Sequence, residues 1–418
     1  MNERQTIDLS DEDKRRVVTL DKGTLRRTLG VRHLFSIGYA DVGSSIYYAL
    51  GVTTIWAMGA TPFAFLIAGI FFVCTVFTYA ELSAASPEAG GSAAFARKAF
   101  GDVLSFVAGW ALLLSYIMTI AISAYAAMAY LGYFWPALRV DEFHITATLI
   151  LIGLLLLLNL LGVGASAGLS WGLCLVSVVI QAVLLTVGWF TVVDLGRFWS
   201  QIQWGAMPTW PNFIRGISVA MVAYTGVEAM SQMAEEVRNP ARSVPRAYLL
   251  AMAAVLVFSL GISMIGMSVM SPHTMVRDWL NNPMAGIAAH MPNITIAGQG
   301  IALRKFFTPA IAILGVLLLA VAANAGVVGG SRLFYSLGSH FQMTSTVARL
   351  HHRFRTPYVA LSLCTGVAAV VIVMVRRLER LADVYVFGPM LAFVLAHLSL
   401  IASRIKQPDM PRPYRAPL

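Results

Sequence analysis

The chain has 418 residues, of which 58% are hydrophobic and only 12% charged, a composition that excludes an ordinary soluble domain and marks an integral membrane protein. The formal net charge of +10 fits basic segments facing anionic lipid headgroups and calls for no nucleic-acid partner. Cys74, Cys174 and Cys364 all fall in apolar runs without metal-ligand spacing, so they read as small core side chains with no redox role.

Residues 1–30 form a charged tail with too few apolar positions to pack alone and no cleavable signal, which places it in the cytosol. A helix needs about 20 apolar residues to cross a ~30 Å hydrocarbon core. Ten such runs follow, over 31–56, 61–84, 103–132, 143–163, 168–193, 212–232, 246–270, 307–331, 357–375 and 384–403. Counted from an inside start, Lys and Arg concentrate in the inside segments, as the positive-inside bias requires, and the C-terminal tail, 404–418, is also cytosolic. Arg376, Arg377 and Arg380 depart from this bias, lying in the outside loop between the ninth and tenth runs. The protein is therefore expected to be an all-α, multi-pass protein of the cell membrane.

The first run contains "ADVGSSIYYALG" (40–51), which sets an acid, a glycine and two serines in apolar surroundings. A carboxylate there costs about 2.5–3.5 kcal/mol on insertion scales, so Asp41 needs a functional reason. "SPEAGGSAAFARKAFG" (86–101) links the second and third runs, and "EEVRNPARSVPRAY" (235–248) links the sixth and seventh. That spacing divides the chain into two five-run repeats, 31–194 and 195–403, inverted because five is odd. The first member of each is interrupted by glycine, at Gly43-Ser44-Ser45 and at Tyr224-Thr225-Gly226. Single membrane glycines usually just let helices approach; interruptions at matching positions of two halves point to a transporter's binding site.

Unwound backbone must line a polar cavity. The half-helix ending at Asp41 directs its negative end there, and the next half-helix offers the Ser44 and Ser45 amides to an anion. The site should favour a cation or an ammonium group. Tyr48 lies two turns beyond Asp41, Thr119 and Ser123 of "SYIMTIAIS" share one face of the third run, and Thr225 sits at the sixth-run break. Membrane Ser and Thr ordinarily bond their own i−4 carbonyl, and Tyr48 has a packing alternative. Asp41 differs, because no Lys, Arg or His lies mid-span in the first nine runs. Glu228 is the second candidate proton carrier, its alternative being a structural hydrogen bonder. Asn159, Gln181, Asn324 and His397 read as interhelical hydrogen bonders.

From about residue 32 onward the chain resembles the amino acid–polyamine–organocation (APC) superfamily of secondary transporters. The resemblance rests on "GSSIYYALG" (43–51), "PEAGGSAAFARKAFG" (87–101), "AYTGVEAMSQMAEEVRNPARSVPRA" (223–247), "SRLFYSLGSHF" (331–341), "RTPYVAL" (355–361) and "RPYRAPL" (412–418), in the family's order. It implies the LeuT-type 5+5 inverted repeat with discontinuous first and sixth helices, and alternating access by a bundle of spans 1, 2, 6 and 7 rocking against the other six. In permeases of this kind the substrate carboxylate meets amides at Gly43 to Ser45, and its ammonium meets carbonyls near Tyr224 and Thr225. A second pattern, D-x-x-S-S-x-x-Y, resembles the KimA and KUP potassium importers and implies a K⁺ site at Asp41, Tyr48, Thr119, Ser123 and Thr225.

Asp41 favours a cationic solute, whereas the longer resemblance favours an amino acid or related organic amine, which is the expected substrate. Potassium uptake is the alternative, and a channel the third reading. The fifth run lacks the lysine that often stands in for sodium in proton-coupled members, with Ser177 or Gln181 near its place. Coupling is therefore expected through H⁺ at Asp41 or Glu228, with Na⁺ as the alternative. No phosphate-cradling loop, nucleophile elbow or metal-ligand cluster is present, so neither an enzyme nor a cofactor is expected. The partners are the solute and the bilayer, with a homo-oligomer left open. Many superfamily members have twelve spans, so peripheral helices are expected to be missing here.

Overall fold

The computed structural model describes residues 29–88, 90–162, 167–296, 299–339, 342–354 and 356–417. The N-terminal tail, up to residue 28, lies outside them. The described residues contain nine continuous helical stretches long and apolar enough to cross a membrane. The first, Val31–Ala85, has 55 residues; as one straight helix it would run about 80 Å. It doubles back instead at a 3-10 turn over Met58–Ala60, where Thr61 donates to Thr54, seven residues earlier, at 3.2 Å. Ten crossings result, as the hydropathy requires.

The contacts sort the loops into two ends. Leu29, before the first span, pairs with Glu236 and Arg238 after the sixth at 3.0 Å, and Lys406, after the tenth, reaches the Ala99 carbonyl at 2.9 Å. At the opposite end Tyr125 reaches the Arg376 carbonyl at 3.3 Å and Gln201 the Met267 carbonyl at 2.9 Å. The helices Tyr358–Val375 and Leu378–Lys406 form the ninth and tenth spans; the tenth starts at Leu378, ahead of its expected run, and takes Arg380 into the helix, leaving Arg376 and Arg377 between the two.

The seventh and eighth spans also differ in their bounds from the sequence expectation. The link after the sixth span is helical from Pro240, since a proline in the first turn loses no intrahelical donor, and the seventh span runs Pro240–Val269. The eighth span extends from Leu303 to Ser339, beyond its apolar centre. An antiparallel hairpin, Asn293–Ile296 with Gln299–Ala302, also stands in the loop between these spans.

The second span packs chiefly on the seventh, and the third on the eighth and tenth. The third and eighth approach closely because a Cβ at Gly326 would lie 3.0 Å from the Tyr116 carbonyl oxygen. All four expected interhelical hydrogen bonders act as such. Asn159 donates to Asn324 at 2.6 Å, Gln181 accepts from Tyr39 at 3.3 Å, and His397 contacts Thr75 and Thr78 at 3.3 and 2.8 Å. Cys174 and Cys364 are buried and Cys74 is partly so. Asn159→Leu should lower the detergent unfolding free energy by about 1 kcal/mol, because an intramembrane hydrogen bond contributes about 0.6–2 kcal/mol. A chemical-denaturation curve beside the parent protein measures it.

Candidate functional site

The two interruptions form, but unequally. The first span consists of helices Val31–Val42 and Ile46–Ala57. Between them the Gly43 amide donates to Tyr39 at 2.7 Å while the Ser45 amide donates to Val42 at 3.1 Å, a change from i−4 to i−3 spacing. The Ser44 amide has no partner among the described residues. Gly43 and Ser45 keep right-handed dihedrals (φ −69°, ψ −23°; φ −64°, ψ −26°), so the chain tightens here without reversing direction. Both serine hydroxyls donate to the Asp41 carbonyl, at 2.8 and 3.3 Å.

The sixth span breaks fully. Helix Trp210–Ala220 passes into a 3-10 turn, Thr225 is extended (ψ 155°), Gly226 takes φ +106°, and helix resumes at Glu228–Gln232. Only glycine adopts that φ readily. The Glu228 carboxylate accepts from the Gly226 amide at 2.9 Å and from Ser115 of the third span at 3.0 Å. Glu228 thus supplies the anion for its own half-helix start, a position where negative charge is favoured.

Asp41 and Glu228 meet at Gly226. A Cβ on that glycine would lie 2.7 Å from the Asp41 Cγ, so hydrogen is all the space allows. The Asp41 side chain is buried, with no hydrogen-bond donor and no cation beside it among the described residues, and its charged neighbour is Glu228. Two buried acids therefore share a site with no cation among the described residues to balance them, an arrangement stable only when a proton or a bound cation supplies the charge.

The remaining polar residues gather around this pair. Tyr48 lies 3.0 Å from the Ser45 hydroxyl, with Ser123 of the third span beside its phenol. Thr119 bypasses its own helix: its hydroxyl is 2.7 Å from that of Tyr385 in the tenth span, which is also 2.8 Å from Thr225. Tyr385 is 1% exposed and ties the third, sixth and tenth spans together. Sequence reasoning missed it; its signal was a phenol three residues before Gly388-Pro389 in an apolar run. Tyr224 turns its ring away, donating to the Phe65 carbonyl at 2.9 Å and stacking on Phe72, so only its backbone stands at the break.

The profile of the amino acid permease family matches residues 29–418. The chain belongs to that family. Relatives include the methylthioribose transporter of Bacillus subtilis strain 168, 27% identical over 94% of this chain and 85% of its own length. The branched-chain amino acid permease BcaP of the same organism is 24% identical over 96% and 85%. The lysine-specific permease LysP of Escherichia coli K12 is 24% identical over 79% and 68%. This amino acid permease is accordingly a multi-pass secondary transporter of amino acids or related organic solutes, with the LeuT-type arrangement of an APC-superfamily member.

Proposed function

We propose that the transported solute carries a primary ammonium group, as a cationic amino acid or related amine does, and that the ammonium binds beside Asp41. The supporting observation is the Asp41–Glu228 pair without a protein cation among the described residues. A zwitterion brings a carboxylate of its own and leaves the site with excess negative charge; a second amine on the solute offsets it. The solute carboxylate, where there is one, meets the Ser44 amide and its neighbours at Gly43 and Ser45, and the ammonium also meets the carbonyls near Tyr224 and Thr225. Tyr48, Ser123 and Thr119 line the pocket. Transport is coupled to H⁺, which Glu228 or Asp41 takes up when no cationic group is bound. The termini face the cytosol.

Potassium is the second reading, favoured by the gathering of Asp41, Tyr48, Thr119, Ser123 and Thr225 oxygens in one place. Against it, Tyr385 already engages both threonines. Uptake into proteoliposomes separates the readings. Labelled lysine should accumulate under an imposed pH gradient, compete with diamines more than with leucine, and ignore rubidium. Rubidium uptake lost in Asp41→Asn would replace the amine with K⁺. Accumulation driven by a sodium gradient alone would overturn proton coupling, and flux without accumulation would indicate a channel.

A further inference from the structure

Glu81, near the end of the second span, is 0% exposed and lies outside the site described above. Arg404 of the tenth span approaches it through two nitrogens, at 2.6 and 3.1 Å. Arg412 lies 3.3 Å away, and the Ala416 amide donates to it at 2.7 Å. Arg404 also donates to the Ala416 carbonyl at 2.9 Å, so the segment 407–417 is strapped onto both spans. Burial and the Glu81 carboxylate raise the Tyr414 phenol above its usual range. The second span packs mainly on the seventh and the tenth on the third, so this cluster bridges two packing groups.

The strap closes over an unusual polar core. Between Glu228 and the strapped end lie the Tyr79, Tyr116 and Tyr248 hydroxyls, those of Ser83 and Ser92, and the Gln232 amide nitrogen, which face one another in pairs (Tyr79 with Ser92, Tyr116 with Gln232, Tyr248 with Ser83) yet close no hydrogen bond within 3.5 Å among the described residues. Tyr79 and Tyr248 have ring centroids 6.5 Å apart, and Glu228 acts electrostatically on Tyr79, Tyr116 and Tyr248. Unpaired buried polar groups are costly and demand an explanation. Gly90 and Gly91 shut this core: the Gly90 amide donates to Gln232 at 2.9 Å, and a Cβ at Gly91 would lie 2.7 Å from the Ser231 hydroxyl.

We propose that the unpaired hydroxyls line the route between the Glu228 site and the strapped end, hydrated when open, and that the Glu81–Arg404–Arg412 cluster is the latch holding it closed. Opening requires the second span to part from the tenth, which breaks the Glu81 contacts. The inference rests on the transporter assignment alone and is independent of the solute.

The test measures thiol accessibility in purified protein without solute. Ser231→Cys, placed in the sealed core, is treated with a bulky maleimide and read by mass spectrometry, with buried Cys364 as internal control. Adding Glu81→Gln should speed modification at position 231 by about tenfold, the factor expected when a hydrogen bond to a charged group biases the closed state. Cys364 should stay unchanged. Arg412→Gln, at the outer edge of the cluster, should give a smaller rise and serves if Glu81→Gln is not recovered folded. An unchanged rate at 231, or equal rises at 231 and Cys364, overturns the latch.

Discussion

Asp41→Asn should reduce solute uptake by about two orders of magnitude, since truncating one partner of a desolvated charge pair costs about 2–5 kcal/mol. Asparagine keeps the size of the side chain and removes the charge, so the loss falls on recognition and not on shape. The same change should leave thermal stability equal or higher, because the carboxylate has no hydrogen-bond donor among the described residues and its charged neighbour is Glu228. Opposite signs for activity and stability are characteristic of a residue retained for function at a strained site. Uptake kinetics in proteoliposomes and a melting curve in detergent measure the two quantities. Retained uptake in Asp41→Asn would remove this carboxylate from solute binding.

Gly226→Ala should abolish transport. At φ +106° an L side chain is strained by about 1–3 kcal/mol. The new methyl would also lie 2.7 Å from the Asp41 Cγ and displace the carboxylate or the backbone of the break. Transport should fall below detection with the protein still inserted but less stable. Gly153→Ala is the matched control: a Cβ there meets nothing within 4 Å and the residue lies inside a helix, so stability should stay level or rise slightly. Comparable losses in both variants would mean that the sixth-span break tolerates a side chain and does not position Asp41.

How far the sequence could be read depended on whether a signal was local. Hydropathy located the crossings because hydrocarbon constrains every residue of a span in the same way. The expense of an intramembrane acid singled out Asp41, and glycine beside hydroxyls marked both breaks, though not that the first tightens while the sixth opens. That difference follows from the extended Thr225 and the positive φ of Gly226, which neighbouring residue types do not specify. Helix ends were also misplaced where charged residues continue a helix past the apolar core, as at Pro240–Arg246 and Arg332–Ser339.

By itself, then, the chain's pattern determined a ten-span, twofold-repeated membrane transporter with an acid at its centre, since those properties follow from composition and spacing along the chain. Only the tertiary structure decided which groups the acids face. Thr119 meets Tyr385 across 266 positions and Glu81 meets Arg404 across 323. Side-chain direction on a buried helix is set by the helix packed against it, and the turn of Tyr224 away from the break shows that the sequence neighbours of a site need not point into it.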